Sequence, residues 1–169
     1  MTAQVEVRRA RLSDTEAIAQ FVNAARSGDA SGPEVTRLSV ADRFGQIGFM
    51  VAESDGELAG VLGWQVENLV VRVTDYLIAA SQADPKVVGA ALVEKMEAEA
   101  RDLQVETSLL FLPPEPSLGL VSYWEGLGYT FSSLDDLHRA CREAVADGGL
   151  DVQDVMVKQL RKDRVRRPM

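Results

Sequence analysis

Apolar and polar positions alternate over Val5–Arg9, the period of a half-buried strand. Ser13-Asp14-Thr15-Glu16 then reads as a capping box, in which the Ser13 hydroxyl takes a free helix N–H and Glu16 reaches back. Ala17, Ile18, Phe21, Val22 and Ala25 follow at helical spacing, so the pattern predicts a helix to about Arg26. Ser27 to Pro33 is a loop rich in Gly, Ser and Asp, and a weaker helix is expected over about Glu34–Gln46.

The strongest β signal comes next. Phe49–Glu53 and Leu58–Val66 flank Ser54-Asp55-Gly56-Glu57, which predicts a hairpin with its turn in the middle. Glu67-Asn68 reads as a second tight turn before a long strand, about Leu69–Ala80. Asp84 caps a helix whose first position is Pro85, where a missing N–H does no harm. Val88, Ala91, Leu92 and Met96 form its buried stripe, with Glu97 and Arg101 expected to pair on the wet side.

Val105–Leu112 reads as a strand stopped by Pro113-Pro114-Glu115-Pro116. A short helix over about Ser117–Leu127 should end at Gly128, before a strand beginning Tyr129–Phe131. Ser133 is expected to cap a helix over about Leu134–Ala146, closed by Asp147-Gly148-Gly149. A last strand covers about Asp154–Leu160. The predicted order is β-α-α-β-β-β-α-β-α-β-α-β, an α/β (α+β) fold with a mixed sheet covered by helices.

Composition narrows the function classes. A chain of 169 residues with 46% hydrophobic and 26% charged residues is ordinary for one soluble globular domain. No apolar run approaches the ~20 residues that span a bilayer, and Met1–Val5 lacks the layout of a secretion signal. A cytoplasmic location is therefore expected, with no membrane partner. Cys141 stands alone and no Cys/His cluster has ligand spacing, so neither a disulfide nor a metal is expected.

The net charge of −8 is unevenly spread. Residues 158–169 hold six of the 18 basic residues and one of the 26 acidic ones, leaving 12 basic and 25 acidic residues, a net −13, before them. An acidic body argues against DNA as the ligand and favours cationic partners, while the basic end reads as solvated chain.

The order and four stretches of sequence together resemble the GNAT-type N-acetyltransferase superfamily. They are Val7–Asp14 (Val-Arg-Arg-Ala-Arg-Leu-Ser-Asp), Asp55–Gly60 (Asp-Gly-Glu-Leu-Ala-Gly), Val88–Val93 (Val-Gly-Ala-Ala-Leu-Val) and Tyr123–Tyr129 (Tyr-Trp-Glu-Gly-Leu-Gly-Tyr). The closing Met156–Leu160 is also similar. The resemblance implies a single acyltransferase domain over residues 1–161, a basic tail over 162–169, and a mostly antiparallel sheet of six to seven strands. It implies transfer of an acetyl group from acetyl-CoA to a small-molecule or peptidyl amine, by direct attack on the thioester. Homodimers are common in the proteins it resembles.

The family binds its coenzyme at a gap after the fourth strand, with the pyrophosphate on a Gln/Arg-x-x-Gly-x-Gly/Ala turn. The implied cofactor-binding residues are Ile78, Ala79 and Ala80 on the strand and Lys86, Val87, Val88, Gly89 and Ala90 at the helix start. Unpaired N–H groups and the helix dipole favour phosphate there. Aligned on Gly89, however, Asp84 replaces the leading Gln/Arg and Val87 the first glycine. Asp84 brings an anion and consumes an N–H, whereas Lys86 offsets part of this as a point charge.

The resemblance also implies a general acid at the position of Trp124, whose indole is a donor and not a usable acid at neutral pH. Tyr123, about 100° round the helix, is left as the donor to the departing sulfur, and both rings also read as core aromatics. For the base, the fourth strand offers Asp75 and Tyr76, with Glu67 more remote. Asp75, in Val73-Thr74-Asp75-Tyr76-Leu77-Ile78, is the expected base; a solvated strand position is the other reading. His138 and Cys141 read as packing residues. A non-catalytic GNAT-fold binding or assembly module, having lost the acyl-CoA chemistry, is the alternative from a different class.

Overall fold

The computed structural model of the chain describes residues 4–26, 32–79, 83–147 and 154–162. The elements are β1 (Val5–Arg9), α1 (Thr15–Ala25), α2 (Arg37–Arg43), β2 (Gly48–Ser54), β3 (Glu57–Glu67), β4 (Val70–Ile78), α3 (Pro85–Asp102), β5 (Thr107–Phe111), α4 (Leu118–Gly126), β6 (Thr130–Ser133), α5 (Arg139–Asp147) and β7 (Asp154–Gln159). This is the order expected from the sequence. The strands form a seven-stranded sheet in the order β1-β2-β3-β4-β5-β7-β6. β4 and β5 run parallel, and the β1–β2, β2–β3, β5–β7 and β6–β7 pairs are antiparallel.

The chain divides into two compact units, one of residues 1–65 and 74–96 and the other of residues 66–73 and 97–169. In the first, Asp55 and Gly56 both take positive φ, 54° and 82°, as a two-residue hairpin turn demands. Phe49, Val51 and Val61 on that hairpin are buried with Ile18 and Ala19 of α1 and Val40 of α2. Asn23 ties α1 to the segment before α2: its amide donates to the Val35 carbonyl at 2.8 Å and accepts from the Val35 N–H at 2.9 Å. Gly60 lets α3 come close, since a β-carbon there would stand 2.8 Å from Leu92, 2.9 Å from Val88 and 3.1 Å from Ile78.

In the second unit, Leu137, Cys141, Ala144 and Val145 of the α5 region are buried with Val70, Leu109 and Val155. The Arg72 guanidinium donates to the Ala144 carbonyl at 3.1 Å and lies 6.0 Å from the Phe111 ring. α5 is thus fastened to the sheet by packing and by a charged hydrogen bond from Arg72.

Three expected details are corrected. No Ser13 cap forms: residues Leu12–Asp14 make a 3-10 turn, and Asp14 accepts from the Arg11 N–H at 2.6 Å. The carboxylate is the stronger acceptor and is already held by Arg8, at 2.8 and 2.9 Å. The second helix is shorter than expected because Thr36 and Ser39 cap each other at its start. A 3-10 turn over Leu134–Asp136 delays the next helix to Arg139. Gly148 and Gly149, expected to close that helix, lie outside the described residues, as does most of the Ser27–Pro33 loop.

Candidate functional site

β4 carries the residues on which the expected chemistry depends. Its ladder to β5 covers Val70–Val73, and the strand continues to Ile78 in the first unit. There Asp75, Tyr76 and Leu77 wall a cavity of about 170 Å³ with Ile18, Val22, Val35, Val40, Phe49 and Val61, and with Arg26 and Arg43. Most of the wall is apolar, and the charged groups are two guanidiniums and one carboxylate.

Asp75 is not a solitary carboxylate. Arg43 grips it with two N–H donors, Nη1 to Oδ1 at 3.0 Å and Nη2 to Oδ2 at 2.5 Å. The Thr74 hydroxyl donates to Oδ2 at 2.8 Å. Gly63 opposite makes room: a β-carbon there would collide with that same Oδ2 and come within 2.8 Å of Thr74 Oγ1. Asp75 and Arg43 are 27% and 42% exposed, so the pair remains in reach of solvent and of a ligand. Arg43 also lies 5.3 Å from the Phe49 ring, which helps hold it at the cavity wall. Tyr76, the other strand candidate, is half-buried on the same wall; Glu67 belongs to the second unit.

The start of α3 satisfies itself. The Lys86 N–H donates to Asp84 Oδ1 at 2.9 Å, and the Val87 and Val88 N–H groups both donate to the Asp84 carbonyl, at 3.0 and 3.1 Å. Pro85 has no N–H to offer. Asp84, Pro85, Lys86 and Val87 are exposed, Val87 by 54%, while Val88 and Gly89 are buried and Ala90 half-buried. Ile78 and Ala79 are half-buried, and the Ala79 N–H is bonded to the Ala59 carbonyl at 2.9 Å. Ala80 lies outside the described residues.

Trp124 and Tyr123 stand on α4 in the second unit. Trp124 is 3% exposed and packs edge-on against Tyr123 and Tyr129, with centroids 5.5 and 5.3 Å apart. Its burial makes it a core aromatic. Tyr123 is half-buried. His138 is exposed and Cys141 buried.

Sequence reasoning misjudged Glu97. Expected on a wet helix face, it is 3% exposed and receives Lys158 Nζ at 3.1 and 2.9 Å and the Tyr129 hydroxyl at 3.1 Å. Arg101 reaches it only at 3.5 Å. Ser108 and Tyr129 share a further hydrogen bond of 2.7 Å, and Lys158 also donates to the Leu127 carbonyl at 2.9 Å. Burial is the main cause that pushes the Tyr129 phenol well above its ordinary value. The signal that could have found this cluster is Lys158 itself, a charged residue directly after the apolar run Val155-Met156-Val157 of the closing strand.

Among the described residues, no group of three or more His, Cys, Asp and Glu could hold a metal ion, and no helix is long and apolar enough to cross a membrane.

No protein-family profile matches the chain, and no curated protein matches it in sequence. Solved structures do. N-acetylglutamate synthase from Neisseria gonorrhoeae, complexed with coenzyme A and N-acetyl-glutamate, aligns with a TM-score of 0.68 at 18% identity; the match covers 96% of this chain but 36% of that protein. An acetyltransferase of the GNAT family from Staphylococcus aureus Mu50 aligns with a TM-score of 0.73 at 10% identity, covering 94% of this chain and 100% of the other. The PaiA N-acetyltransferase from Thermoplasma acidophilum, in complex with coenzyme A, aligns with a TM-score of 0.65 at 14% identity, covering 92% and 99%. Element order, sheet topology and these likenesses agree: the chain has the GNAT-type N-acetyltransferase fold.

Proposed function

We propose that the chain is an acyl-CoA-dependent N-acyltransferase that takes a small-molecule or peptidyl amine into the cavity of its first unit. The observation that carries this reading is that cavity: Asp75, Tyr76 and Leu77 wall it on the strand that leads into Ile78–Ala79. At about 170 Å³ it suits one side chain or a small amine, since a cavity of about 150 Å³ holds benzene.

The start of α3 offers a pyrophosphate one backbone N–H, that of Lys86 once Asp84 releases it, together with the exposed Lys86 side chain. Exchanging such a cap costs about 1 kcal/mol. One charge-assisted bond from the exposed Lys86 returns about 1.5–3 kcal/mol, so the balance favours binding. In this reading Lys86, Val87, Val88, Gly89 and Ala90 hold the phosphates, and Ile78, Ala79 and Ala80 line the acyl arm. Acetyl-CoA, when bound, supplies the activated acyl carbon.

The chain's own residues orient the amine and manage its proton. The apolar wall of Ile18, Val22, Val40 and Phe49 takes the acceptor's carbon skeleton and excludes water. Asp75 accepts the amine proton, directly or through one water, in place of a bond now given to Arg43. Tyr123 is the remaining donor for the departing thiolate. The acidic balance of the chain draws cationic acceptors to it. One domain over residues 1–161, a solvated tail from 162, a cytoplasmic location and a homodimer complete the proposal.

Release of CoA thiol tests it, measured with a panel of amino acids, alkylamines and lysine peptides. Amine-dependent release that falls at least about a hundredfold in Asp75→Asn, the worth of one general base, supports the reading. A second reading, a binding module without catalysis, is favoured by a specific coincidence: Asp84 caps α3, Arg43 occupies Asp75 and Trp124 is buried in the core. Silence across the whole panel, in a protein that still folds, would favour it.

A further inference from the structure

The cavity around Asp75 carries two guanidiniums, from Arg26 and Arg43, against one carboxylate, so one positive charge is left over. Arg43 is the last residue of α2 and Asp75 stands on β4; two hydrogen bonds join them into an adjacent pair of opposite charges. Arg26 follows the last turn of α1, is exposed, and pairs with no carboxylate among the described residues.

A simple alkylamine suits this arrangement badly. As an ammonium it adds a second unmatched cation beside an apolar wall, and a charge held there without a partner is costly. Acceptance of the amine at Asp75 also takes a bond from Arg43. The Nη1–Oδ1 bond, at 3.0 Å the longer of the two, is the one to exchange. An acceptor with a carboxylate next to its amine repairs both losses. Its amine takes Oδ1, its carboxylate takes the freed Arg43 donor, and Arg26 faces the same anion. With the amine neutral, as attack on an acyl carbon requires, such an acceptor is a monoanion and cancels the spare charge. The acidic balance of the whole chain does not oppose this, because distant charges are screened beyond about 8–10 Å.

We propose that the acceptor is a free α-amino acid with a small apolar side chain. The proposal rests on the reading that this cavity takes the acceptor amine. Adjacency of Asp75 and Arg43 selects adjacent amine and carboxylate groups, and the exposure of the pair, 27% and 42%, leaves the charged head group near solvent. The side chain lies against Ile18, Val22, Val40 and Phe49. At about 170 Å³, against the roughly 150 Å³ that holds benzene, the space suits a side chain of valine or leucine size. Transfer forms one N–C bond and breaks the thioester C–S bond. The amine proton leaves through Asp75, the thiolate takes up a proton, and the products are an N-acylamino acid and CoA thiol.

Calorimetric titration with L-leucine, in the presence of CoA, tests it on the wild-type chain and on Arg26→Gln. Leucinamide keeps the amine and side chain without the anion, and 3-methylbutylamine is leucine without its carboxylate. Leucine should bind one-to-one, and both comparison compounds at least about tenfold more weakly. Arg26→Gln, at an exposed helix end, should keep its unfolding midpoint, weaken leucine at least about threefold and leave the two comparison compounds unchanged. No saturable leucine binding, equal affinity for leucinamide, or a leucine affinity untouched by Arg26→Gln would overturn the proposal. Thiol release from acetyl-CoA separates it from the reading beneath it. Carboxylate-dependent leucine binding without any thiol release keeps the amino-acid site and removes the acyltransferase. Release as fast with 3-methylbutylamine as with leucine keeps the acyltransferase and overturns the amino-acid acceptor.

Discussion

The Asp75 carboxylate fills the space that a β-carbon on Gly63 would need, and Arg43 holds it there with two donors. Gly63→Ala should therefore do more harm than Arg43→Ala. The first overpacks a site with no room to give and should cost about 1–3 kcal/mol. The second removes a partly exposed ion pair, worth up to about 1 kcal/mol after solvent screening. Because both act on Asp75, the double variant should lose less than the sum. Denaturant unfolding of the four proteins measures this, and simple additivity would contradict the shared mechanism.

A second prediction concerns Asp84. Asp84→Asn keeps a side-chain oxygen for the Lys86 N–H and removes the anion, so stability should change little. Its affinity for acetyl-CoA should rise several-fold if α3 holds the pyrophosphate. Calorimetry on both proteins decides it; equal affinities would place the phosphates elsewhere.

The buried group around Glu97 predicts a large effect on stability. Glu97→Ala leaves Lys158, whose side chain is 24% exposed, without its counter-ion and should cost about 3–5 kcal/mol. Adding Lys158→Met should recover much of that loss, as removing both charges relieves the stranded one. Thermal unfolding gives the answer, and a double variant no better than Glu97→Ala would argue against the pair as the cause.

The pH dependence has two ends. The Arg8 guanidinium, as side-chain hydrogen-bond donor, holds the Asp14 carboxyl below its ordinary value. A lowered folded value means the unfolded chain binds the proton more readily, so this stabilisation is present above about pH 4 and lost as pH falls further. Tyr129 is the reverse case, raised chiefly by burial. Its folded form keeps the proton longer than the unfolded one, so stability should fall as pH rises past about 10. Arg8→Met should flatten the acid limb and Tyr129→Phe the alkaline limb of a stability profile, each leaving the other limb in place.

Much of this fold was legible because its signals are local. Asp55-Gly56 announces the hairpin by needing positive φ, and Asp84-Pro85 announces α3 by capping chemistry. Glu97 was misplaced because its real partner, Lys158, lies 61 residues away, whereas Arg101 at i+4 offered a nearby but weaker pairing. Asp75 was legible as a strand carboxylate, but its bond to Arg43 was not. That contact depends on where α2 ends and on the absence of a side chain at Gly63, two facts the linear pattern does not connect. The Trp64 indole, without a hydrogen-bond partner among the described residues, had no sequence signal at all, since its packing follows from the register that pairs Gly48 with Trp64.

The most direct test of the acyltransferase account is thermal unfolding of the purified protein with and without acetyl-CoA. A ligand at 100 times its dissociation constant adds about 2.7 kcal/mol, which for a chain of this size raises the midpoint by roughly 5–11 °C. The account predicts a shift of that order with acetyl-CoA, a similar one with CoA and none with ATP. No shift at millimolar acetyl-CoA, in wild type and in Asp84→Asn alike, would contradict it and leave a GNAT fold that binds something else.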